Sequence, residues 1–142
     1  MRAATISPDG RWLAYASNDT NRFEVYVQAF PNLGGKSQIS IDGGAEPVWA
    51  KSGRELFYRN GDKMMVVTIG AKGDSLDAGA PKLLFEGRFA VSTLSGGDAW
   101  YDVSPDGQRF LMMKTEDAPN SATSIVVVQD WMSELKRLAP AK

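Results

Sequence analysis

The chain has 142 residues, with 16 Lys plus Arg against 17 Asp plus Glu and a formal net charge of −1. That length suits one ordinary domain, and the near-neutral charge gives no electrostatic case for nucleic acid or an anionic membrane as partner. With 0 His and 0 Cys, the sequence excludes Ser-His and Cys-His catalysis, His or Cys metal ligation, disulfides and thiol redox chemistry.

The first ten residues carry no secretory h-region, which leaves the compartment open, and no apolar run approaches the ~20 residues of a membrane span. A short strand is predicted at 3–6, leading into the turn Ser7-Pro8-Asp9-Gly10. Pro pre-sets φ there, Asp bonds its own backbone and Gly takes a positive φ. Strands at 11–17 and 22–28 follow, the latter with clean alternation through Phe23-Glu24-Val25-Tyr26-Val27. The turn between them, Asn18-Asp19-Thr20-Asn21, offers oxygens suited to Ca²⁺ but lacks the spacing of a calcium loop, so it reads as a polar hairpin turn. Phe30 to Gly35 reads as a loop, and a fourth strand fits 37–41.

The pattern then repeats. Strands are predicted at 46–50, 54–59, 63–69 and 82–86, with turns at Ala50-Lys51-Ser52-Gly53 and Asn60-Gly61-Asp62. Residues 70–80 and 87–99 read as irregular loops. A third unit has strands at 99–103, 108–113 and 123–128 around Ser104-Pro105-Asp106-Gly107. Beyond Val128 the period becomes helical: Asp130 can cap, and Trp131, Leu135 and Leu138 fall on one face, giving a short helix over about 130–138.

Aligned on Gly10, Gly53 and Gly107, the three units match in several columns. Four positions before the glycine stand Ile6, Trp49 and Val103; three after it, Leu13, Leu56 and Phe110; five after it, Tyr15, Tyr58 and Met112. A period of ~40–45 residues suits a four-stranded propeller blade. The sequence therefore predicts an all-β chain of three radially stacked blades, at about 1–43, 44–88 and 98–129. The last lacks its outer strand, and no domain boundary falls within 1–142.

The runs Ser7 to Tyr15, Glu46 to Trp49, Gly53 to Arg59 and Tyr101 to Leu111 resemble the TolB-like, WD-repeat-like β-propellers of bacteria. The tail from Val126 to Leu138 is similar to that of propellers attached to eukaryote-like serine/threonine kinases, although no kinase motif is present. The resemblance implies a ring of six or seven blades, of which this chain would be a C-terminal half. It also implies a sensory or interaction module that is often extracytoplasmic.

Catalytic candidates are few. Lys36-Ser37 and Lys51-Ser52 put Ser beside Lys only at turns and strand ends, and the carboxylates Asp42, Glu46 and Asp98 are carried by loops expected on one face. No catalytic, cofactor or metal residue is assigned. Asp19, Asp42, Glu46, Asn60, Asp98 and Trp100 form the expected binding face, since loops on a rigid scaffold carry recognition. Three blades leave two open faces, so a second copy is expected to close a six-bladed ring, with Val127, Trp131, Leu135 and Leu138 as assembly surface. The expected function is a non-enzymatic module for protein–protein interaction or ligand binding that assembles with itself to complete the ring, with neither nucleic acid nor membrane as partner. The alternatives are an accessory part of a hydrolase or kinase on another chain or domain, and an enzyme with carboxylate chemistry in its central channel.

Overall fold

A computed structural model describes residues 1–90 and 98–114, together with the backbone of a strand at Ser124–Val128. All regular structure among the described residues is β-strand. The first sheet is antiparallel, in the order β1 (Arg2–Ile6), β2 (Trp12–Ser17), β3 (Glu24–Ala29) and β4 (Ser37–Gln38). The second joins β5 (Ala45–Trp49), β6 (Glu55–Asn60) and β7 (Lys63–Lys72). The third joins β10 (Tyr101–Val103), β11 (Phe110–Lys114) and β12 (Ser124–Val128). The expected helix at 130–138, with Trp131, Leu135 and Leu138, lies outside the described residues.

The turns are built from their own side chains. Gly10 N–H donates to Ser7 C=O at 2.8 Å, while Asp9 Oδ1 accepts from the Ser7 hydroxyl at 2.5 Å and from Arg11 N–H at 3.1 Å. Ser104, Asp106 and Gly107 make the same set of bonds in the third sheet. In the second, the Ser52 hydroxyl takes the aspartate's part and accepts from Arg54 N–H at 3.2 Å. The three turn glycines have φ of 73, 70 and 72°, where a Cβ would be strained.

Two apolar seams hold the sheets together. In the first, Trp12, Ala14, Val25, Val27 and Ile39 meet Trp49, Leu56, Tyr58, Val67 and Ile69. In the second, Phe57, Met64, Val66, Leu84 and Phe85 meet Tyr101, Phe110 and Met112. Strand alternation divides β6 between them: Leu56 and Tyr58 face the first sheet and Phe57 the third. A strand buried on both faces loses the polar alternation of a surface strand, as in the run Leu56 to Arg59.

The structure departs from the sequence expectation at 70–80. β7 continues to Lys72, turns through Gly73-Asp74 and pairs with β8 (Ser75–Ala78), Lys72 opposite Ser75. Gly73 has φ 61°, as the first central residue of a two-residue hairpin. β9 (Lys82–Glu86) pairs with the first half of β7, so β8 and β9 lie end to end along one edge. The fourth strand of the first sheet is shorter than the expected 37–41, with ladder pairing at Ser37 and Gln38 only. Ile39 N–H still donates to Val25 C=O at 2.8 Å, and its side chain is buried in the first seam.

Candidate functional site

One end of the sheets carries the Asn18–Arg22 turn, the 42–44 loop, the Asn60–Asp62 turn and the segments on either side of 91–97. The 42–44 loop is fixed from below by Glu24, a buried carboxylate at the start of β3. Glu24 accepts from Arg22 Nε at 2.9 Å, from Gly43 N–H at 3.0 Å and from the Ser40 hydroxyl, and that hydroxyl accepts from Val25 N–H at 2.8 Å. Burying a carboxylate requires such a full set of donors. The result holds Asp42 exposed at φ 61°, with Arg22 Nη1 3.6 Å from its carboxylate and Asn60 Nδ2 donating to its C=O at 3.3 Å. Asp42 and Asn60 are therefore brought together.

Glu46 and Trp100 form the second pair. Both stand seven residues before a turn glycine, as does Ala3. In the first two sheets this column is a bulge: the β1 and β5 registers shift there, and Ala3 and Glu46 have φ of 48 and 55°. A bulge re-aims the side chain it carries. Glu46, expected in an exposed loop, is instead buried, accepting Trp100 N–H at 3.3 Å on its carboxylate and the Tyr101 hydroxyl at 2.8 Å on its C=O. Burial holds the Tyr101 phenol well above its ordinary value, and the nearby Glu46 charge adds to that. Trp100 itself is half-buried and Asp98 exposed. Asp19, in the 18–22 turn, is bonded to neither pair: it accepts from Lys36 Nζ and the Ser17 hydroxyl, and Lys36 lies 4.0 Å from the Tyr26 ring centre.

Sequence reasoning missed Arg59. It is 2 % exposed, donates through Nη2 to Gly61 C=O at 2.7 Å, and among the described residues its Nε and Nη1 meet no hydrogen-bond partner. Burial lowers its pKa, opposed by the charges of Glu46 and Tyr101. The available signal was a cation directly following the apolar run Leu56-Phe57-Tyr58 within one strand. Chemically, this end offers an exposed carboxylate at Asp42, a half-buried amide at Asn60 and a half-buried aromatic ring at Trp100. Asp42 and Glu46 are held by different partners.

No family model and no curated sequence matches the chain. Solved structures do. A protein assigned as TolB in Agrobacterium tumefaciens superposes with a TM-score of 0.58 at 15 % identity, over 89 % of this chain and 44 % of that one. TolB from Acinetobacter baumannii matches with a TM-score of 0.39 at 16 % identity, over 90 % and 40 %. The chain thus spans less than half the length of the TolB structures it matches. Antiparallel sheets of four, five and three strands, packed face to face along two apolar seams, have the architecture of propeller blades. The first of these likenesses makes the fold that of a TolB-like β-propeller.

Proposed function

We propose that the chain is a non-enzymatic β-propeller module that binds another protein through the loop end described above, and that two copies join to complete one six-bladed ring. The observation that carries the first part is the pair of buried carboxylates, Glu24 and Glu46, whose hydrogen bonds hold Asp42 and Trp100 in place. Groups fixed in this way before contact lose little freedom on binding. Carboxylates already committed to structural donors are poorly placed as general acid and base, which favours recognition over hydrolysis. The similarity of 126–138 to kinase-attached propellers supports a role beside a kinase domain, in the same protein or in trans.

The test is cross-linked capture of partners by the wild-type chain, by Asp42→Ala with Trp100→Ala, and by Asp106→Ala at the opposite end. A partner lost with the loop variant and kept with Asp106→Ala supports the reading. A partner lost only with Asp106→Ala overturns it, as does hydrolytic turnover abolished by Glu46→Gln. For the ring, light scattering should give about twice 15.4 kDa, and a folded species at 15.4 kDa defeats it.

A further inference from the structure

We infer that the missing seam of this propeller is made head to tail with a second copy, the outward face of the third sheet receiving the Ile6–Leu13 face of the first. This rests on the two-copy ring proposed above and specifies its contact. The warrant is a rule of direction in the two existing seams. Residues two and four places after a turn glycine face the following sheet, and those three and five places after it face the preceding one. Trp12 and Ala14 thus meet Leu56 and Tyr58. Phe57 meets Phe110 and Met112, the Phe57 and Phe110 rings crossing edge to face at 5.1 Å.

The turns obey the same direction. A Cβ placed on Gly53 would lie 3.7 Å from Pro8 of the sheet before it, and one on Gly107 would lie 3.7 Å from Glu55 and 3.9 Å from Phe57. Gly10, the same residue in the first sheet, has nothing within 4 Å. Among the described residues, therefore, no sheet lies against the turn of the first sheet on its preceding side, and Ile6 on that face is 47 % exposed. Tyr15 and Tyr26 farther along it are already buried, stacked at 5.9 Å, so the unfilled part lies at the Gly10 end.

The third sheet carries the complementary half. Its following-side column is Arg109 and Leu111, and Leu111 is 46 % exposed. Together with Asp102, Ser104 and Pro105 they line a recess of about 270 Å³. By the rule that sets Phe57 on Phe110, Leu111 of one copy meets Leu13 of the other. By the rule that sets Gly107 beside Glu55, the Ser7–Gly10 turn enters the recess and brings the Asp9 carboxylate beside the Arg109 guanidinium, opposite charges at the rim. The two faces, left uncovered among the described residues, are unlike each other and complementary, so a second copy satisfies both at once. Two equivalent seams form, and none is left over to propagate a fibre.

The chain has 0 Cys, so introduced thiols report without background. Leu13→Cys and Leu111→Cys chains, mixed, allowed to exchange and oxidised mildly with copper phenanthroline, should give a disulfide-linked pair near twice 15.4 kDa. Each variant oxidised alone should remain unlinked, with the circular dichroism of the wild type. A dimer by light scattering in which Leu111→Cys links to itself overturns the head-to-tail seam but leaves a two-copy assembly standing. A dimer that links neither in the mixture nor in either variant alone places the contact elsewhere and also overturns the seam. A folded monomer overturns both.

Discussion

Gly44 has an ordinary negative φ, yet only glycine fits there. A Cβ would stand 2.6 Å from Ser40 Cβ and Oγ and 3.1 Å from Val25 Cγ2. Ser40 cannot retreat without releasing Glu24 and Val25 N–H. Gly44→Ala is expected to lower unfolding free energy by about 1–3 kcal/mol in urea titration, the range for forced overpacking. Tyr58 is the opposite case. Its hydroxyl is buried with no partner among the described residues, and burial, with the Glu24 charge behind it, pushes its pKa up to about 12. Tyr58→Phe removes an unsatisfied group, so stability should hold or rise, by about 1 kcal/mol at most; a larger loss would reveal a bond at that hydroxyl. Asp9 and Asp106 sit below their usual 3.8, chiefly through the Ser7 and Ser104 hydroxyls and then the backbone N–H groups of Arg11 and Gln108. A depressed carboxyl stabilises the fold fully above its unfolded pKa and loses that contribution as pH falls through the folded one. Replacing both by Asn should flatten the pH dependence of stability below 3.8. These turn residues were legible in the sequence because their chemistry is local. Glu24 was not, since Ser40 and Gly43 reach it from 16 and 19 residues along the chain; nor was Arg59, whose bonded partner Gly61 is local but whose burial comes from tertiary packing.

The β7–β8 hairpin shows where element-level reading stopped. Gly70, Lys72, Asp74 and Asp77 give no apolar alternation, so 70–80 reads as loop, although Gly73-Asp74 is itself a two-residue hairpin signal. The hairpin crosses to the first sheet. Arg11 Nη2 donates to Gly73 C=O at 3.1 Å and lies 3.6 Å from Asp74, while Leu76 packs against the first seam. The ion pair is solvent-exposed and the leucine half-buried, so their values differ. Asp74→Ala should change stability by less than about 0.5 kcal/mol. Leu76→Ala should cost about 1–2 kcal/mol, reduced from a full core truncation by its partial exposure. Chemical denaturation of the two variants side by side checks the ordering, and equal effects would show that the tether is electrostatic. At the other end of the sheets, the bulge that buries Glu46 was hidden from the sequence because Ala45-Glu46-Pro47-Val48 gives no period to interrupt.

At the scale of the molecule, three in-register columns were enough to read all-β architecture and the order of the sheets. They were enough because in a repeat array each unit packs mainly on its neighbours. The columns also hold the direction of packing, which emerges only when Phe57 and Phe110 are seen in contact. Phe57 is the central residue of the second seam, buried against Phe110 and beneath the Gly107 turn. Phe57→Ala should cost about 3–5 kcal/mol. If the seams are energetically separate, it should loosen the third sheet while amide protons of β2 and β3 keep their protection from exchange. Uniform loss of protection across all sheets would show that the two seams melt as one.

The first seam also gives the protein an optical signature. Trp12 and Trp49 are both buried there, and the Trp49 indole N–H donates to Thr5 C=O at 3.2 Å across the junction. An indole shielded from water emits to the blue of an exposed one. Emission under selective excitation should therefore report whether the first two sheets remain docked. Trp49→Phe should remove much of the red shift seen on unfolding, whereas Trp100→Phe should leave most of it, so intrinsic fluorescence can follow this one junction without a label.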